Sequence, residues 1–179
     1  GAFHGLESLH PHASNIVGKA WSGKHAREFI PKLYNDIWKK QVPIHLNFIM
    51  GLPGEDLNFV KSTIDWTQEN EIYNIGYERL GLVNPKNMGR FAILSEFDRN
   101  SNKWGFFFLS DEEIRLRKID SRSGWYNDTW QPHTLTRDYA IAKQIIKERK
   151  LEKATVWNLG NLQMMGYSKE YLLNTPRED

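Results

Sequence analysis

Residues 42–56, reading VPIHLNFIMGLPGED, constrain the fold more than any other stretch of the chain. From Ile44 to Met50 the run is mostly apolar and rich in β-preferring residues, the composition of a strand covered on both faces in a parallel sheet. Gly51, Pro53 and Gly54 then break it, and Glu55 or Asp56 can cap the helix that follows. Ligands of α/β sheets and barrels sit at the carboxyl ends of such strands, where loops vary over a rigid scaffold. Glycines at that edge let backbone amides approach a ligand with no side chain in the way. A tight turn with no ligand is the alternative, and these residues leave both open.

The flanking segments repeat the same alternation. Residues 3–7 read as a strand that opens at the very start of the chain, as if an element normally preceding it were missing. Ser22 can cap a helix over 22–41 with Ala26, Phe29, Ile30, Leu33 and Ile37 on one face, and Pro31 implies a kink or restart within it. A helix over 56–70 turns Leu57, Val60 and Ile64 inward. Residues 72–83 form a further strand, stopped by Asn84-Pro85. Strand–helix–strand–helix–strand predicts parallel strands joined by right-handed crossovers. Three strands do not close a barrel, so 1–85 is expected to be half of a TIM-like βα barrel within an α/β fold.

After Pro85 the rhythm changes. Residues 91–97 and 103–109 read as two short antiparallel strands joined by the polar turn 98–102. Ser110 and Glu113 form a capping box opening a helix to about residue 121. A polar, tryptophan-rich loop covers 122–133, and a helix over 136–150 carries Tyr139, Ala142, Ile145 and Ile146 along one side. Two shorter helices are expected at 155–165 and 168–173. Residues 86–179 are thus a small hairpin plus a helical carboxyl-terminal extension, packed with 1–85 as one globular unit.

Composition narrows the chemistry. A chain of 179 residues, 40% hydrophobic, is one globular domain large enough to bury most of its apolar surface. No apolar run reaches the roughly 18 residues of a membrane span, and no charged-then-apolar leader is present, so the expectation is a soluble, cytoplasmic protein. Zero cysteines exclude disulfides, thiolate zinc sites, cysteine nucleophiles and cysteine-held iron–sulfur clusters within this chain. The six histidines show no metal spacing; His10-Pro11-His12 reads as a polar loop, and no metal ligands are assigned. A net charge of +2 is too small to argue for nucleic acid, and the basic residues 147–150 complement the end of a helix. The seven tryptophans are scattered and read as core.

Four segments come in a telling order: Gly5-Leu-Glu-Ser8, Lys19, Asn47-Phe-Ile-Met-Gly-Leu-Pro-Gly-Glu55 and Gly81-Leu-Val-Asn-Pro85. Together they resemble the carboxyl-terminal half of a radical S-adenosylmethionine enzyme, closest to the cobalamin-binding subset. The resemblance covers essentially the whole chain, and the tail after Lys86 is similar to the helical extension of that subset. It implies that Glu7 and Ser8 approach the ribose and amino-acid part of S-adenosylmethionine, where a carboxylate forms charge-assisted bonds. It implies that Lys19 faces the cofactor's carboxylate. Asn47, Ile49 and Gly51 would flank the adenine along the fifth strand, and Leu82 and Val83 would meet it at the end of the sixth. On the residues alone, Glu7 and Ser8 can also be a cap or turn, and Lys19 a solvated surface cation.

The departures from the family pattern matter as much. Its three-cysteine cluster motif and its cobalamin domain are both amino-terminal and absent here. The resemblance therefore implies a fragment or split half, not catalytically competent alone, binding S-adenosylmethionine weakly or not at all in isolation. Iron–sulfur cluster and cobalamin would belong to the intact parent enzyme. The expected partners are an amino-terminal half carrying the cluster, or a second copy in a homodimer across the open edge at 3–7. That reading also expects Phe48, Met50 and Leu80 to be apolar barrel-facing side chains, covered by the tail after Pro85 folding back, by a second copy or by a partner half. Two further readings stand beside it: a non-catalytic binding or partner domain that retains the fold, and an unrelated α/β enzyme using Glu7, Glu78 or Asp98 as acid or base.

Overall fold

The computed structural model describes residues 2–18, 22–87 and 96–151. Strand β1 (Ala2–Glu7) is followed by helix α1 (Pro11–Val17) and helix α2 (Gly23–Pro31). Strand β2 (Ile44–Met50), helix α3 (Leu57–Glu69) and strand β3 (Ile75–Arg79) complete the first part. The three strands form one sheet in the order β1-β2-β3, with both pairings parallel. The parallel strand–helix alternation read from the sequence is therefore present. The sheet is open, and no closed barrel exists among the described residues.

Each element has a local cause. The apolar, β-branched run of β2 is paired on both edges, as a central parallel strand requires. Of the two carboxylates expected to cap α3, Asp56 does so, accepting from the Phe59 amide at 2.7 Å. Glu55 turns inward instead. Ser22 caps α2 as expected, and at Pro31, where the sequence implied a kink or restart, the helix changes type. The helix continues through Lys32–Ile37 in π geometry, with the Trp38 amide reaching back to the Leu33 carbonyl at 2.8 Å. Such bulges adapt a helix to an awkward residue; the change of turn rotates Ile37 off the buried face, leaving it 65% exposed.

Side-chain alternation divides the sheet. Leu46, Phe48 and Met50 of β2 and Ile75 and Tyr77 of β3 pack with Ala26 and Ile30 of α2 and Val60 and Ile64 of α3. Phe48 and Met50 are thus buried against helices. They are not the barrel-facing residues expected from the sequence, because they lie on the helix-covered face and the pleat sends His45, Asn47 and Ile49 to the opposite one. Leu80 is partly buried against the same core.

The second part departs further. Helix α4 (Glu96–Arg99) and a 3-10 turn at Ser101–Trp104 occupy the region expected to form a hairpin. Asp, Asn and Ser there offer the backbone local hydrogen bonds that favour turns over strand ladders. Strand β4 (Phe107–Phe108) pairs instead with β5 (Trp125–Tyr126), antiparallel, across helix α5 (Asp111–Arg117). The predicted capping box holds α5, with Ser110 and Glu113 bonding reciprocally. Helix α6 (Pro132–Glu148) starts at a proline, earlier than expected, and packs beside β3 and α3. Residues 91–95 of the expected first hairpin strand, and the expected helices at 155–165 and 168–173, lie outside the described residues.

Gly51 joins the two parts. Its φ of +115° suits glycine alone, and a β-carbon there would stand 2.8 Å from the Trp125 ring. We expect Gly51→Ala to lower the unfolding free energy by about 1–3 kcal/mol, read as a shift in the urea midpoint at unchanged slope. An unchanged midpoint would mean that this contact carries no weight.

Candidate functional site

The carboxyl ends of parallel strands share one edge, and most residues singled out from the sequence meet there. Glu7 ends β1 at a register shift, with its backbone in the left-handed region at φ 61°. Ser8 follows it and is buried. Gly51 follows β2, and Leu82 and Val83 follow β3, Leu82 buried and Val83 half-buried. Asn47 and Ile49 lie within β2, half-buried on the face away from the helices. Lys19 lies outside the described residues.

The protein's own hydrogen bonds already fill much of this edge. The Gly51 carbonyl accepts from Asn127 Nδ2 at 3.2 Å, and the Leu80 carbonyl accepts from Trp125 Nε1 at 3.1 Å. The Leu82 amide donates to the Arg122 carbonyl at 3.0 Å. The Val83 amide donates to Asp98 Oδ1 at 2.8 Å. Asp98, weighed from the sequence as an acid or base, is thus a buried acceptor for a loop amide, while Glu78 stands exposed on β3. Trp125, Asn127 and Arg122 come from the polar, tryptophan-rich loop, whose sequence showed no sign of which strand it would cover.

Glu55, the alternative cap read from the sequence, faces inward instead. It is 3% exposed, and it accepts from the Ser8 hydroxyl while the Leu52 amide donates to its carboxylate. Ser8 Oγ in turn accepts from the His10 amide at 2.9 Å. One carboxyl group therefore ties the end of β1 to the turn after β2. Burial pushes its pKa up to about 8, with the Ser8 hydroxyl and the Leu52 amide opposing. Burial, and then the nearby Glu55 charge, drive the Tyr77 hydroxyl well above the usual phenol range, with its bond to Thr63 and the Arg27 charge opposing. Arg27 borders the cluster, its guanidinium 5.6 Å from the Phe59 ring centre and 5.7 Å from that of Trp66. Among the described residues, the second Glu55 oxygen has no hydrogen-bond partner.

A cleft of about 490 Å³ opens beside the β2–α3 turn, lined by His12, Pro53, Gly54, Trp104 and Asp128 among others. His10 and His12 do not form the loop expected from the sequence. His10 Nδ1 accepts from the Ala13 amide at 3.4 Å and caps α1, with Pro11 and His12 in the first turn. Burial, and then the neighbouring His12, lower the pKa of His10. Comparison of the chain with family models, curated proteins and solved structures finds no match.

Burial of Glu55 has a definite sign in stability. A carboxyl whose folded pKa exceeds its unfolded value is stable protonated, so stability is greatest in acid and falls as pH rises from about 4.5 through about 8. We expect Glu55→Gln, which keeps the shape and the acceptor oxygen, to flatten this slope and to gain about 1–3 kcal/mol at pH 9. Urea titrations across that range check it; parallel pH profiles for both proteins would refute the assignment.

Proposed function

We propose that this chain is the carboxyl-terminal part of a radical S-adenosylmethionine enzyme, supplying part of the cofactor pocket and the substrate-side tail. The observation that carries this reading is the parallel β1-β2-β3 sheet, whose carboxyl edge gathers Glu7, Ser8, Gly51, Leu82 and Val83. These are the positions that the resemblance assigns to one ligand. Bound there, the cofactor supplies the radical chemistry. The chain's own part is to orient and shield it. Glu7 offers a carboxylate to ribose or ammonium, and Asn47 and Ile49 form the wall beside the strand edge.

The donor set fits only part of that machinery. With no cysteine in the sequence, an iron–sulfur cluster must be held by residues of another segment, and no residue here is assigned to cobalamin. The Ser8 hydroxyl is committed to Glu55 and the His10 amide, so within the pocket it positions Glu55 rather than meeting the cofactor directly. The other half of the pocket would come from an amino-terminal segment pairing along β1. That strand lies at the edge of the sheet and carries Phe3, 61% exposed. A bare strand edge invites such pairing.

Half a pocket without the metal should bind S-adenosylmethionine with a dissociation constant on the order of 1 mM or weaker. Calorimetry tests this, first on the chain alone and then with a segment carrying the CxxxCxxC motif. Tightening by the second segment supports the proposal. Micromolar binding by the chain alone would refute the split pocket, as would a stoichiometric cluster on it after reconstitution with iron and sulfide.

One observation favours a second reading, a non-catalytic binding domain that retains the fold. The backbone groups at Gly51, Leu82 and Val83 are satisfied by the chain itself, as in a closed site. This reading expects no gain in affinity from the added segment. Light scattering at micromolar concentration separates the partners: a 21 kDa monomer leaves β1 for another segment, whereas a doubled mass assigns it to a second copy.

A further inference from the structure

The cleft beside the β2–α3 turn takes no part in the proposed cofactor pocket; no described residue assigned to S-adenosylmethionine lines it. Its volume of about 490 Å³ is that of a small-molecule site. Helix α1, the turn after β2, and the loops at 103–105 and 127–129 wall it. The wall is largely apolar, with Ile16, Pro53 and the Trp104 indole. Gly105 stands on it at φ +76°, where it ends the 3-10 turn, and a β-carbon there would meet nothing within 4 Å. The space before it is open.

Two opposite charges border this space, Lys103 and Asp128. Lys103 Nζ rests 4.6 Å from the centre of the Trp104 ring. The ring face attracts the ammonium through its quadrupole and leaves the N–H donors of Lys103 to other acceptors. Asp128 is carried on a turn pinned from both sides. Asn127 Oδ1 accepts from the Thr129 amide at 3.0 Å and the Trp130 amide at 2.7 Å, while Asn127 Nδ2 donates to the Gly51 carbonyl at 3.2 Å. Among the described residues, the Asp128 carboxylate has neither hydrogen bond nor ion pair, and the Lys103 ammonium has no carboxylate. The two charges share one cleft without neutralising each other.

We propose that this cleft binds a zwitterion with an apolar body, either a free amino acid with an apolar side chain or a short peptide. Its carboxylate meets Lys103, its ammonium meets Asp128, and its apolar body lies against Ile16, Pro53 and Trp104. An anion alone gains Lys103 but is set beside the Asp128 carboxylate. A cation alone gains Asp128 but is set beside Lys103. Only a ligand that carries both charges satisfies both groups. Because Lys103 and Asp128 are exposed, their charges select and orient the ligand more than they tighten it. Binding here does not require the cofactor of the proposed function.

Nuclear magnetic resonance of the ¹⁵N-labelled chain tests it, with the Trp104 indole N–H as reporter. Four probes share one aromatic body: phenylalanine, glycylphenylalanine, phenylalaninamide, which lacks the carboxylate, and 3-phenylpropanoate, which lacks the ammonium. The expected result is a saturable shift with phenylalanine or the dipeptide, at an affinity about fivefold above that of either single-charge analogue. The tighter zwitterion tells a free amino acid from a peptide. Asp128→Asn should weaken that zwitterion about fivefold and bring 3-phenylpropanoate level with it, and Lys103→Gln should do the same for phenylalaninamide. Both positions are exposed, so both variants are expected to fold. No saturable shift with either zwitterion, equal binding of a single-charge analogue by the unaltered chain, or unweakened binding by either variant overturns the proposal. Selective zwitterion binding in a chain that gains no S-adenosylmethionine affinity from the added segment would sustain this site while sinking the cofactor reading.

Discussion

Strand β2 is hydrogen-bonded in parallel along both of its edges, and the rest of the structure depends on that. Parallel neighbours cannot be joined by tight turns, so each pairing demands a crossover. Here α1 and α2 cross before β2, and α3 crosses after it. With every strand running the same way, all the carboxyl ends come to one edge, which is why distant residues such as Ser8, Gly51 and Leu82 become neighbours. The pairing also decides which side chains meet the helices. A one-residue slip of β2 would exchange Leu46, Phe48 and Met50 for His45, Asn47 and Ile49, placing polar groups in the core.

Burial makes that register hard to change. Leu46 and Met50 are fully buried, and Phe48 stacks on Tyr77 with ring centres 5.1 Å apart. The same packing carries a polar inclusion, with Glu55 and Tyr77 beneath the edge. Polar groups so deep cost stability unless bonded. The Ser8–Glu55 and Thr63–Tyr77 contacts offset part of that cost while linking strand ends to α3.

The sequence was most legible where period and punctuation agree. β2, the Asp56 cap, α3 and the Ser110 capping box all follow from local rules that act within a few residues. It was less legible where tertiary contacts choose among local options. Glu55 and Asp56 are adjacent carboxylates with equal claim to the cap, and only the Ser8 hydroxyl, 47 positions away in sequence, draws one of them inward. The apolar parity of β2, Ile44, Leu46, Phe48 and Met50, stands out against His45 and Asn47, but the strand alone does not say whether helices or a barrel interior cover that face, so the barrel-facing expectation for Phe48 falls on the wrong side. β4 found its partner beyond α5 because Asp98, Asn100 and Ser101 favour turns in the intervening stretch, a competition that strand propensity alone does not weigh. At the candidate site, the strand-end positions were legible from glycine punctuation. Their occupation by Arg122, Trp125 and Asn127 was not, since it depends on long-range return of the chain.

That return has a kinetic meaning. Because the Gly51 carbonyl and the Leu82 amide are already bonded to residues 122–127, a molecule seeking those groups must wait for the loop to leave. Association there would be limited by loop opening rather than by diffusion, giving rates well below those of a preformed pocket. The Trp125 ring wedged against Gly51 makes that opening a concerted step, since the ring and its neighbouring backbone bonds must let go together. The edge therefore behaves less like an empty socket than like a door whose latch is part of the fold.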